Sequence, residues 1–99
     1  MIVCLTPDAQ ADLAAIGDDI ARERPRRAAN FIAEMRSRCG ELVALRSAFP
    51  LVIRYGYCDV RHRAHGNCQI FYCVVSGPME RVDVLHIVRV ALGFESLLF

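Results

Sequence analysis

The densest group of chemically capable side chains in this sequence is Arg61-His62-Arg63, followed at once by His65. On an extended chain the two-residue period puts Arg61, Arg63 and His65 on one side. Guanidinium groups aligned in this way grip phosphate or carboxylate through paired, charge-assisted hydrogen bonds. Combined with histidine as acid and base, they supply the parts for cleaving a phosphodiester. The same stripe has a competing use as the solvated outer face of an edge strand, where charge blocks pairing with other chains. His86 and Arg89 are a second group. His86 lies between Val84 and Val88 and is read as a core histidine. Arg89, at the end of the same apolar run, either snorkels to the edge or projects into a site.

Other constellations find no support. None of Ser37, Ser47, Ser76 and Ser96 stands in a G-x-S-x-G setting, and no glycine-rich phosphate loop occurs. All twelve basic residues are arginine, so no mechanism can use a lysine base. The five cysteines (Cys4, Cys39, Cys58, Cys68 and Cys73) show no C-x-x-C spacing. They are read as small buried hydrophobes rather than a zinc site or a disulfide framework. No catalytic residue, metal or cofactor is assigned.

The elements that must hold these residues follow from capping and periodicity. Thr6-Pro7-Asp8 opens a helix: Thr is a good N-cap, Pro suits the first helical position and an acid suits the first turn. Ala9, Leu13, Ile16 and Ile20 form its apolar face, with Asp12, Asp18, Asp19 and Glu23 on or near the other. It should end near Arg24, since the residue before Pro25 is pushed out of helical geometry. Pro25 begins a second helix with Ala28, Phe31, Met35, Cys39 and Leu42 on one face. Gly40 weakens it without having to break it.

Phe49-Pro50 marks the exit, and beyond it the period changes from helical to alternating. Tyr57 to Ala64 reads as a strand, His65-Gly66-Asn67 as a turn, and Cys68 to Val75 as an apolar central strand. Ser76-Gly77-Pro78 turns the chain into a last strand, Arg81 to Val90. Leu51 to Tyr55 is either an extra strand or a connecting loop. Ala91 to Phe99 is read as a short helix or arm. Met1 to Leu5 is a first strand, too short for a signal peptide's apolar region. The order β-α-α-β-β-β makes a two-layer α+β domain, a helical hairpin packed on a small antiparallel sheet.

The chain has 99 residues, of which 55% are hydrophobic and 23% charged, as befits one domain with an apolar core. No apolar run approaches the roughly 18–20 residues of a membrane span. Twelve basic residues oppose eleven acidic ones for a net charge of +1, which disfavours generic binding to nucleic acid. A cytoplasmic location is expected.

The chain resembles ParE-type toxins of the RelE/ParE superfamily. The opening Leu5-Thr6-Pro7-Asp8-Ala9-x-Ala11-Asp12-Leu13-x-x-Ile16 carries the resemblance, as does Ala28-Ala29-x-Phe31-Ile32. So do Val60-Arg61-x-Arg63-x-His65-Gly66-Asn67-x-x-Ile70-Phe71-Tyr72, Val82-Asp83-Val84-Leu85-His86-Ile87 and the ending Leu97-Leu98-Phe99. The resemblance implies a small bacterial toxin of a type II toxin–antitoxin pair. Relatives of the ParE kind poison DNA gyrase, those of the RelE kind cleave mRNA on the ribosome, and both are neutralised by an antitoxin segment that wraps the toxin. Where the family reads His-Gly-x-Arg-Asp after the last strand, this chain has Arg89-Val90-Ala91-Leu92-Gly93.

The leading expectation is a gyrase-binding inhibitor with a ParD-like antitoxin, acting by protein binding rather than by chemistry. Arg54, Arg61, Arg63, His65 and Arg89 are the expected contacts to target or partner. An apolar groove between the helical hairpin and the sheet edge is expected to receive the antitoxin. A RelE-like ribosome-dependent endoribonuclease and a non-toxic antitoxin-binding relative are the alternatives.

Overall fold

The computed structural model describes residues 1–55 and 58–90, of which 53–55 and 58 are described by their backbone alone. Strand β1 (Ile2–Leu5) leads into helices α1 (Pro7–Ala21) and α2 (Pro25–Gly40), then a single turn, α3 (Leu42–Leu45). Four strands follow: β2 (Leu51–Tyr55), β3 (Cys58–His65), β4 (Cys68–Val75) and β5 (Arg81–Arg89). The sheet order is β1-β5-β4-β3-β2. Strands β2 to β5 form an antiparallel meander, and β1 pairs parallel to β5 at the far edge.

The two-layer α+β domain stands, with two additions. Leu51 to Tyr55, open between strand and loop in the sequence, is the edge strand β2. The second helical stretch is interrupted after Gly40, so Leu42 reaches the core from α3. Because β1 pairs parallel to β5, the sheet is mixed rather than the wholly antiparallel one expected. The predicted start of β3 at Tyr57 and the predicted tail Ala91 to Phe99 lie outside the described residues.

Thr6 starts α1 in the predicted way: its hydroxyl accepts the Ala9 N–H at 3.2 Å. The same hydroxyl donates to the Val84 carbonyl at 2.8 Å, tying the helix start to β5. Arg24, held before Pro25 at φ −139° and ψ 78°, separates the two helices. Between β3 and β4, Gly66 takes φ +59°, a left-handed value that glycine adopts without strain.

One core lies between the layers. Ala9 and Leu13 of α1, Met35 and Cys39 of α2, and Leu42 of α3 meet Cys68, Ile70, Tyr72, Val82, Val84 and Ile87 of the sheet. Burial of each large apolar side chain contributes on the order of 1.5–3 kcal/mol. The helices approach closely at Gly17, which is buried; a Cβ there would stand 2.7 Å from Ile32 Cδ1. Gly17→Val is expected to lower unfolding free energy by about 2 kcal/mol through overpacking, read as a fall in the urea midpoint with an unchanged slope.

Candidate functional site

The arginine strand faces inward. In the β3–β4 register Arg61 stands opposite Tyr72, Arg63 opposite Ile70 and His65 opposite Cys68. Those β4 partners are all buried in the core, and cross-strand neighbours share a face. The stripe is therefore on the helix side of the sheet, not the solvated outer face. Only long side chains can start within this layer and still reach polar partners.

Those partners are specific. Arg63 Nη1 donates to the Arg38 carbonyl at 3.0 Å and pairs with Glu41 Oε1 at 2.9 Å. Its guanidinium carbon lies 4.9 Å from the centre of the Phe49 ring, within cation–π range. Arg61 Nη1 donates to the Phe49 carbonyl at 2.7 Å. His65 Nε2 lies 2.7 Å from Glu34 Oε1 on α2. Beside them the Tyr72 hydroxyl donates to the Arg46 carbonyl at 2.9 Å, and its ring meets Phe49 edge-on. Arg38, Glu41, Phe49 and Tyr72 were not among the predicted site residues. Their sequence signals are a charge pair (Arg38 and Glu41), an aromatic beside a predicted chain exit (Phe49) and a place in the predicted central strand (Tyr72).

The electrostatics follow from this packing. Hydrogen bonding from Arg63 holds the Glu41 carboxyl below its ordinary range, burial opposes it, and the charges of Arg38 and Arg63 add to the lowering. Burial pushes the Cys39 thiol up to about 11, against the opposing charges of Arg63 and Arg36. Burial likewise raises the Cys68 thiol. No cluster of three or more His, Cys, Asp or Glu side chains able to hold a metal occurs among the described residues.

His86 and Arg89 depart from the reading by alternation. Tyr72 pairs with Val84 and Phe71 with His86, so the register shifts there and Leu85 is the extra residue of a bulge. Ile87, not Val88, joins Val82 and Val84 in the core, while Val88 is exposed. His86 is not a core histidine: its side chain is 52% exposed. Its Nδ1 stands 3.0 Å from Asp12 Oδ2, which also accepts the Ile87 N–H. Arg89, two residues beyond Ile87, is thereby put on the side of Val82 and Val84 and reaches Asp19 on α1 at 2.7 Å.

Arg89 also lines a cleft of about 480 Å³ at the turn end of the hairpin, with Asp19, Ile20, Arg22, Glu23, Arg24, Arg27, Phe31 and Asn67. This hollow at the turn of the helical hairpin is lined mostly by charged side chains. Exposed apolar side chains lie elsewhere, on edge strand β2 (Leu51 and Val52) and at the β1 end (Met1, Ile2 and Met79). Arg54 of β2 stands in register with Asp59 of β3, and the Arg54 side chain is outside what the structure describes. Of the five predicted contact residues, the fold thus groups Arg61, Arg63 and His65 and places Arg89 at a separate cleft.

A hairpin of helices on a five-stranded mixed sheet, pinned by an inward arginine strand, defines a small two-layer α+β domain. The family model described as ParE toxin of type II toxin-antitoxin system, parDE, matches residues 3–93, and the chain belongs to that family. Its fold is similar to a solved structure titled "Chromosomal ParDE TA system from P. aeruginosa", with a TM-score of 0.70 at 21% identity over 92% of this chain and 97% of that one. No curated protein matches the chain. No helix among the described residues is long and apolar enough to cross a membrane.

Arg63→Gln is expected to let the Glu41 carboxyl titrate higher, nearer its ordinary value, in an NMR pH titration. Glu41's lowered value contributes stability above the unfolded carboxyl pKa of about 4.3, and that contribution is lost as pH falls through the folded value. The variant should therefore lose less stability on acidification, while being weaker at neutral pH by about 1–3 kcal/mol for the orphaned Arg38 carbonyl. A second expectation concerns the thiols. Under native alkylation at pH 8, mass spectrometry should find half-buried Cys4 modified well before Cys39 and Cys68.

Proposed function

We propose that this protein is the toxin of a type II pair, that it inhibits DNA gyrase by binding, and that a ParD-like antitoxin neutralises it. The observation that carries the reading is the ParE family match over residues 3–93. The fold similarity to a ParDE system supports a partner chain. Among the described residues strand β2 is an edge of the sheet beyond β3, with Leu51 39% and Val52 48% exposed, and such an edge accepts a partner strand.

Within this reading the five predicted residues divide by role. Arg89 and His65, with exposed portions, meet the partner or target directly. Arg61 and Arg63 act by holding the chain between α2 and β2 in place. Arg54 belongs to the proposal through its position on the edge strand.

The reading is tested by inducing the protein with and without the adjacent open reading frame, then assaying the purified chain on gyrase. Growth arrest relieved by the neighbour, co-purification of the two chains and loss of gyrase supercoiling are expected. Specific mRNA cuts on translating ribosomes with unimpaired gyrase would overturn the target. Growth without arrest in a host whose gyrase it should recognise would overturn the toxic role.

A further inference from the structure

The cleft at the α1–α2 turn has features that the contacts described so far do not use. Its lining brings together four guanidinium groups, Arg22, Arg24, Arg27 and Arg89, against two carboxylates, Asp19 and Glu23. Asp19 is already engaged by Arg89 at 2.7 Å and by Arg22 at 3.6 Å. Neither Arg24 nor Arg27 has an ion-pair partner among the described residues. The first turn of α2 contains no acid to offset them. Phe31 is half-buried and packed on the core whereas Arg22, Arg24 and Arg27 are exposed, so an aromatic side chain lies beneath a rim with more guanidinium than carboxylate groups.

That combination selects a ligand class. Like-charged side chains around one hollow repel each other unless an anion is shared among them. Guanidinium forks match phosphate oxygens in geometry and charge. An aromatic surface takes a planar heterocycle by stacking. A volume of about 480 Å³ suits a small molecule. A net charge of +1 over the whole chain gives no field for a long polyanion. We infer that the cleft binds a nucleotide, with its phosphates on the arginines of the α1–α2 turn and its base on Phe31. This inference does not depend on the gyrase or antitoxin reading.

Isothermal titration calorimetry of the full chain tests it, with ATP and inorganic triphosphate as probes in about 0.1 M salt, where surface charges are still felt. ATP should bind saturably and more tightly than triphosphate. The R24A/R27A double variant, whose fold circular dichroism checks, should bind ATP at least about tenfold more weakly. Asp19→Asn, which frees Arg22 and Arg89, should bind it more tightly. Absence of saturable ATP binding, affinity unchanged in R24A/R27A, or triphosphate binding as tight as ATP would each overturn the assignment.

Discussion

The structure depends on donors for backbone carbonyls between the last turn of α2 and the start of β2, a stretch whose only regular structure among the described residues is the single turn α3. After α2 ends, the polypeptide must pass over the helix face of the sheet to start β2 at the far edge. Few regular backbone partners are at hand along such a path, and a carbonyl left unpaired away from water costs about 1–3 kcal/mol. Three side chains of the sheet meet that need: Arg63 at the last turn of α2, Tyr72 at Arg46 and Arg61 at Phe49. Arg63 also brings a cation to a helix C-terminus, where the backbone dipole favours it. The arginine strand is thus internal architecture as much as surface chemistry.

A related constraint operates at the other edge of the sheet. β1 covers β5 only as far as Val84, leaving the next backbone groups of β5 to find other partners. The Thr6 hydroxyl donates to the carbonyls of Val84 and Leu85, and the Asp12 carboxylate accepts the Ile87 N–H. The first turns of α1 therefore continue the edge of the sheet. The bulge at Leu85 changes the parity of the strand at this point. It turns Ile87 into the core and sends Arg89 to Asp19 on α1, so a backbone irregularity decides what stands at the cleft.

Membership of the ParE family gives these features a functional frame. A toxin of such a pair must be recognisable by another chain, and β2 offers an open strand edge with apolar side chains. The cleft at the hairpin turn differs in kind: it is bordered by arginines and floored by Phe31. The two surfaces call for different chemistry, an apolar extended segment on one and a compact anion on the other.

Local chemistry made much of the architecture readable in advance. Thr6-Pro7-Asp8 specifies a helix start by capping, Pro25 separates two helices by its restriction on Arg24, apolar spacing puts Leu13 and Met35 on buried helix faces, and the apolar run Cys68 to Val75 marks a central strand. The family resemblance was likewise legible, because it rests on runs of adjacent residues. Alternation brought Arg61, Arg63 and His65 to one face, but alternation has no sign, so whether that face met water or helices was open. Tertiary packing settled it by setting them beside Tyr72, Ile70 and Cys68. The exposure of His86 and the direction of Arg89 also lay beyond the sequence, because one bulged residue reverses every later side chain and leaves no mark in hydrophobic pattern. The sequence by itself determined which segments become helices and strands, since capping and periodicity act within a few residues. Only the tertiary structure decided which charges turn inward and which meet in the cleft, since those contacts join residues distant along the chain.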